Sequence, residues 1–350
     1  MAPGLIFPIQ HADPETIVPF GELVARGLAG RLWLGQSVLA ETHQTVAYLA
    51  GRGIKVPCGL GVTLMPLRHP MEAAAQARSL AALTGHPIVA GYGAATPGLV
   101  RALRGAPYTR PATAAAGYAG AVRALLDGGT VEHACEACVA TAALPPMTHP
   151  PVEVGLGVLR PGMARAAGAV ADVAITWMTP PHYLRNTLLP ALAAGAEGRG
   201  APPRIATVVH VALAARGRDP RRLAYGAAVG HLRAAHYTDM LRRAGVPADP
   251  ADPRAGAAAL VEAGVYVYGT AEEVVERLRG YHEAGADEVV LNVAGVAETE
   301  GLEAALADAE RLLHAMADAG LGDRAARGTT AATVTGGGSR ARSLGDGQLP

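Results

Sequence analysis

Short runs of β-branched and other apolar residues alternate along the chain with longer segments whose apolar positions recur at helical spacing. Gly4–Ile9, Arg31–Leu34, Val56–Leu64, Pro87–Tyr92, Val152–Leu156, Asp172–Trp177, Arg204–Leu213 and Glu288–Val293 are expected to be strands. Helical segments follow them: Pro14–Leu28, Thr42–Gly51, Pro70–Leu83, Pro111–Leu126, Pro180–Gly195, Pro220–Ala244, Thr270–Ala284 and Leu302–Ala319. Thr270 and Glu273 have capping-box spacing, and Pro70, Pro111, Pro180 and Pro220 each suit the first turn of a helix, where a missing N–H costs nothing. Eight strand-helix units of about 40 residues predict an α/β fold, a parallel (β/α)8 TIM barrel. An open doubly wound sheet would use fewer units, and no second core is visible. Thr130–Pro151 and the proline-punctuated Gly245–Gly256 read as insertions. Residues 1–320 therefore form one barrel domain, and polar, glycine-rich 321–350 is expected to be a disordered tail.

Composition narrows the function. Half of the 350 residues are apolar and 17% are charged, enough to bury a large core. The 30 basic and 30 acidic side chains cancel, so no global field draws the chain to nucleic acid or to an anionic membrane. The longest uncharged stretch, Ser79–Val100, is cut by Gly85, Pro87, Gly91 and Gly93, so it is not expected to span a membrane. Three cysteines, and an N-terminus without a signal-peptide pattern, fit a reducing cytoplasm. The abundance of Ala, Gly and Arg reflects a GC-rich genome more than a functional demand.

In such a barrel the site lies at the C-terminal ends of the strands. Three predicted strands end in glycine pairs, Gly59/Gly61, Gly91/Gly93 and Gly155/Gly157, where a ligand or another backbone comes close, unless glycine falls there by chance. Gly91-Tyr-Gly93 lacks the third glycine and the downstream acid of a dinucleotide loop. Cys135-x-x-Cys138, flanked by His133 and His149, has no second cysteine pair. If Val131–Ala140 is extended, its two thiols point to opposite faces, so no metal is expected.

The run Gly59–Gly93 (GLGVTLMPLRHPMEAAAQARSLAALTGHPIVAGYG) resembles the bacterial-luciferase-like oxidoreductases, which use flavin mononucleotide (FMN) or its deazaflavin analogue, coenzyme F420. The resemblance extends over about residues 4–318. It includes Pro150-Pro-Val152 through Leu159-Arg-Pro161-Gly-Met163 to Ala171-Asp172, and Tyr268-Gly269-Thr-Ala-Glu-Glu-Val-Val275 through Ala284 to Leu291. It implies that Gly61, Val62 and Thr63 form a bulge, which in many F420-dependent members carries a non-proline cis peptide behind the cofactor ring. It places Gly91, Tyr92 and Gly93 along the same pocket, and Gly157, Val158, Leu159 and Arg160 around the cofactor phosphate. Arg160 either bonds that phosphate or is a solvated loop residue. Thr176 and Trp177 are pocket walls, although Trp177 fits a core position equally.

Where many members carry an Asp-His pair, this chain has Gln36-Ser37, counted here with the cofactor-binding positions. Nearby proton donors are Glu41 and His43, with Tyr92 as a further candidate. His43 alternatively only caps its helix. Val62–Pro70 resembles the F420 branch, which implies a reductase that transfers hydride. The wording of the second and third strands is similar to that of reductases in ribosomal peptide maturation, which act on dehydroalanine or dehydrobutyrine. The substrate is thus a small molecule or a modified peptide, and an F420- or flavin-reducing enzyme is implied as a functional partner. An FMN-dependent monooxygenase is the alternative, and a barrel that binds cofactor without turnover is a third reading. The family also implies a homodimer through the second and third helices, with Ala73–Ala77 available for close packing unless these alanines face the barrel.

Overall fold

A computed structural model describes residues 2–321, so the predicted tail lies almost wholly outside the described residues. Eight parallel strands close into a ring: β1 (Gly4–Ile6), β2 (Arg31–Leu34), β3 (Cys58–Leu64), β4 (Ile88–Gly93), β7 (Val152–Gly157), β8 (Val173–Trp177), β9 (Arg204–Leu213) and β11 (Glu288–Asn292), which returns to β1. These are the eight strands predicted from the hydrophobic runs. Helices wrap the outside, giving the expected barrel.

Four elements differ from the expected ones. Thr130–Pro151 contains an antiparallel hairpin, β5 (Val131–Ala134) with β6 (Val139–Ala142), rather than one extended segment. A short strand, β10 (Tyr266–Gly269), pairs with His210–Leu213 because the ten-residue β9 outruns its partners β8 and β11. Pro220–Ala244 breaks into two helices, Pro220–Leu232 and Ala235–Arg243, and the helix expected at Pro180 starts at Pro181 with Pro180 as its N-cap. The capping box forms as expected: Glu273 N donates to Thr270 Oγ1 at 3.3 Å and Thr270 N donates to Glu273 Oε2 at 2.9 Å.

Strand alternation decides what fills the ring. Ile6, Trp33, Val89, Val173, Ile175, Ala206, Val208 and Val290 pack together inside it. Below them, at the N-terminal ends of the strands, Arg31, Glu153, Arg204 and Glu288 form a charged floor. Arg204 donates to Glu153 at 2.6 and 2.8 Å and to Glu288 at 3.1 Å. Burial opposes the charge on Glu153, yet the Arg204 and Arg31 guanidiniums hold its pKa below the usual carboxylate value.

The lower glycines make room for this filling. A Cβ on Gly59 would lie 2.5 Å from Trp33 Cδ2, and one on Gly91 would lie 2.3 Å from Ile175 Cδ1 and 2.1 Å from the Leu60 carbonyl oxygen. The close approach at these glycines is thus to the protein's own side chains and backbone. Within Ala73–Ala77, Ala73, Ala74 and Ala77 are buried within the chain, and Ala75 is half-buried.

Candidate active site

The upper end of the ring is shaped by a β-bulge. β3 and β4 are in register at Leu60–Ala90 and again at Thr63–Tyr92, so Gly61 and Val62 both oppose Gly91. The Gly61–Val62 peptide is cis. The bulge turns Val62 into the ring, where Gly93 and Gly157 flank it. A Cβ on Gly93 would lie 2.6 Å from Val62 Cγ2, and one on Gly157 would lie 3.4 Å from Val62 Cγ1. Gly61, Val62, Gly93 and Gly157 thus form a smooth apolar shelf one layer above Trp33.

Strand parity removes three expected side chains from this shelf. Thr63 and Tyr92 are paired and point away from the barrel axis. Thr63 Oγ1 donates to the Gly91 carbonyl at 3.1 Å. Tyr92 is buried against Tyr118, with its hydroxyl 3.4 Å from the Ala73 carbonyl and its pKa driven up by burial. It therefore lies between strand and helices and is not placed to donate a proton at the mouth. Thr176 also faces outward, its hydroxyl donating to Thr207 Oγ1 at 2.8 Å, and is not a pocket wall. Only the backbone at these three positions borders the mouth.

The ends of β2 and β3 carry a polar cluster. Gln36 N donates to the Val62 carbonyl at 3.1 Å, and Gln36 Oε1 accepts from Leu64 N at 3.2 Å and Arg68 Nη1 at 3.4 Å. Ser37 N donates to Thr42 Oγ1, whose hydroxyl donates to the Gly35 carbonyl, which fixes helix Thr42–Gly51 to the end of β2. Glu41 caps that helix by accepting from Gln44 N at 3.0 Å. Its other oxygen accepts from His43 Nδ1 at 2.8 Å and Arg68 Nη2 at 3.2 Å. Burial opposes ionisation of Glu41, but the bonds to His43 and Gln44 and the Arg68 charge outweigh it and take the pKa down to about 2. Among the described residues, His43 Nε2 has no hydrogen-bond partner. Arg68, which lay in the recognised run without an assigned role, organises the cluster.

On the opposite wall, beside Trp177, His210 and His231 were not foreseen. Trp177 stands inward at the end of β8, its Nε1 donating to His210 Nε2 at 3.2 Å and its ring stacked on His231 at 5.2 Å. His210 has the inward parity of Ala206 and Val208, and Tyr266 stacks on it at 6.3 Å. Burial and the neighbouring His231 take the His210 pKa down to about 3, and burial with the His236 charge takes His231 to about 4. His210 is therefore neutral, with its proton on Nδ1, a buried donor without a protein partner.

On the remaining side, Val158 N donates to the Ile175 carbonyl at 2.8 Å and fixes the turn after β7. Gly157 precedes it, and Leu159 and Arg160 lead on into helix Pro161–Val170, whose N-terminus has no side-chain cap. Arg160 Nη1 is half-exposed and pairs with Asp239 at 3.3 Å, so its guanidinium is already partnered. A flat, anion-bearing cofactor fits these residues. The shelf would be lost to a Cβ, the uncapped helix start offers N–H groups to a phosphate, and His210 Nδ1 offers a buried donor.

The molecule is thus a parallel (β/α)8 barrel with a glycine shelf and an uncapped helix start at one mouth. The chain belongs to the luciferase-like monooxygenase family, whose model matches residues 26–288. The fold is similar to that of coenzyme F420-dependent tetrahydromethanopterin reductase from Methanopyrus kandleri, at 16% identity and a TM-score of 0.68 over 90% of this chain and 99% of that one. It is also similar to an F420-dependent secondary alcohol dehydrogenase, at 17% identity and a TM-score of 0.66 over 90% and 99% of the two chains. EDTA monooxygenase from Chelativorans sp. BNC1 shares the fold at 15% identity, with a TM-score of 0.67 over 94% and 97%. No curated protein matches the chain. Among the described residues, no helix is long and apolar enough to cross a membrane.

Proposed function

We propose that the chain is an F420-dependent reductase that adds hydride to an activated C=C bond, with dehydroalanine or dehydrobutyrine in a peptide as the favoured substrate class. The observation that carries this reading is the Glu41–His43 pair beside the shelf. Reduction of an alkene needs a positioned proton as well as a hydride, and His43 Nδ1 is tethered to a carboxylate while Nε2 is left without a partner. The reduced cofactor supplies the hydride when bound.

Each residue then has one task. Gly61, Val62, Gly93 and Gly157 would seat the ring, and the N–H groups at the start of helix Pro161–Val170, next to Leu159 and Arg160, would hold the phosphate. Trp177, His210 and His231 exclude water and keep that wall neutral. The substrate β-carbon would accept the hydride, and His43 in its imidazolium form, with Nδ1–H on Glu41, would give its Nε2 proton to the α-carbon and be reprotonated from solvent. Gln36 and Arg68 hold Glu41, and through it His43, in place. The preference for deazaflavin rests on the Val62–Pro70 resemblance and on two F420-dependent proteins that share the fold. A cytoplasmic homodimer supplied by an F420-reducing enzyme completes the reading.

The second reading, an FMN-dependent monooxygenase supplied by a flavin reductase, draws on the family description and on the EDTA monooxygenase of the same fold. Fluorescence titrations of the full chain with F420 and with FMN separate the two. Tight F420 binding, followed by a gain of two hydrogens when a dehydroalanine peptide is incubated with reduced F420, is the expected result. Preferential FMN binding transfers the assignment to the monooxygenase.

A further inference from the structure

The hairpin between β4 and β7 carries chemistry that the barrel mouth does not use. His133 and Cys135 lie two residues apart on one face of β5, and a tight turn brings Cys138 back beside them. Cys135 N donates to the Cys138 carbonyl at 2.8 Å, and Cys138 N donates to the Cys135 carbonyl at 3.2 Å. This turn overturns the expectation that the two thiols diverge. Their sulfurs are 3.5 Å apart, and one ligand atom each from His133, Cys135 and Cys138 lies within 4.8 Å of the others. His133 Nε2 is buried without a hydrogen-bond partner, and all three cysteines of the chain are free thiols.

We propose that His133, Cys135 and Cys138 bind one Zn2+ ion, with water as the fourth ligand. Two sulfurs at about 2.3 Å from a tetrahedral ion sit roughly 3.8 Å apart, close to the spacing found, whereas a disulfide needs about 2.05 Å. Thiolate and imidazole are the donor set that selects zinc over the hard oxygen-seeking cations. Both thiols are free, and an ion binds them by displacing their protons.

The surroundings hold the ligands in place before an ion arrives. Arg104 donates to the carbonyls of Glu136 and Ala137 inside the turn. Glu136 accepts from Thr109 N and Arg110 N, which ties the turn to the start of helix Pro111–Leu126. Gly117 on that helix leaves room for the cluster: a Cβ there would lie 2.8 Å from His133 Nε2 and 3.1 Å from Cys135 Sγ. A groove of about 710 Å³ between helix and hairpin opens beside His133 and Cys135 and gives water access to the open position. With all three protein ligands on the hairpin, the ion would lock its turn.

The test uses the full chain, reduced and freed of metal with a chelator, and does not depend on the cofactor. Titration with Co2+ as a spectroscopic stand-in for zinc is expected to give an intense thiolate-to-cobalt charge-transfer band that saturates at one ion per chain. Zn2+ is expected to abolish that band and to slow alkylation of Cys135 and Cys138 in the native chain, while alkylation of Cys58, buried in the core, is unchanged. Cys135→Ser and Cys138→Ser should each cut the saturating band to about half and weaken binding by more than about 100-fold, and His133→Ala should weaken it with the band shifted. Because a variant could misfold, the alkylation pattern of the wild-type chain serves as a second readout. A reduced chain that gives no cobalt band, or whose Cys135 and Cys138 alkylate equally fast with and without Zn2+, overturns the proposal. A band of undiminished intensity and affinity in Cys135→Ser overturns it as well.

Discussion

Trp33 lies across the barrel interior and donates its indole N–H to Glu288 Oε1 at 2.7 Å. That carboxylate is almost fully buried and also faces Arg204 at 3.1 Å and Arg31 at 3.7 Å. Glu288→Ala would leave two buried cations short of a counter-charge and the indole without an acceptor. Truncation of one partner in such a network costs about 3–5 kcal/mol. A urea midpoint that falls accordingly, with an unchanged slope, is expected. A loss under about 1 kcal/mol would mean that water reaches the floor.

Two glycines at successive levels of the ring should respond in opposite ways. Gly91→Ala drives a methyl group into the Leu60 carbonyl, at 2.1 Å, and should cost at least about 3 kcal/mol of stability. Gly157→Ala meets nothing closer than Val62 Cγ1 at 3.4 Å, so the fold should hold to within about 1 kcal/mol. The same methyl stands on the shelf, and cofactor affinity should fall about tenfold. Thermal melts and cofactor titrations on both variants check the pair. Unchanged affinity in Gly157→Ala would move the cofactor off the shelf.

The ring strands were legible because each is a compact apolar run bounded by turn residues. The site was less so, because strands buried on both faces are apolar throughout and hide their parity. From the sequence, Tyr92 and Thr176 are as eligible for the pocket as Trp177. Only the register, with Gly91 and Gly93 inward and Ile175 and Trp177 inward, sends the first two to the helix layer. His210 escaped for the same reason, although its place two residues beyond Val208 was the available signal. The hairpin was missed because its turn, Cys135–Cys138, holds no Gly, Pro, Asn or Asp to mark it.

Two histidines make acid stability a readout of the neutral wall. His210 and His231 release their protons on folding, with pKa values of about 3 and about 4 against 6.5 when unfolded. Their contribution is therefore fully present above pH 6.5 and is lost as pH falls toward the folded values. By pH ~5 the loss is roughly 2 kcal/mol for each ring. Urea midpoints followed from pH ~7 to pH ~5 should drop accordingly, and His231→Gln should remove about half of that slope. A flat profile in the wild-type chain would mean that both rings are hydrated.

His43 and Glu41 separate orientation from proton delivery. His43→Gln keeps much of the side-chain volume and leaves Glu41 its bonds from Gln44 and Arg68, but it removes the proton at Nε2. Reductive turnover should fall about 10²–10⁴-fold while cofactor affinity stays within about twofold. Glu41→Ala removes both the tether and the helix cap, so it should lower activity and also cost about 1 kcal/mol of stability. Glu41→Gln keeps a capping oxygen but cannot ionise. Folding lowers the Glu41 pKa from 4.5 to about 2, so its contribution is complete above pH 4.5 and is lost as pH falls toward 2. Glu41→Gln should therefore lose stability above pH 4.5 and show a shallower decline below it. Steady-state kinetics and cofactor titrations on the three variants distinguish the roles. If His43→Gln turns over at the wild-type rate, the proton comes from another group or from solvent, and the pair is left with a capping role alone.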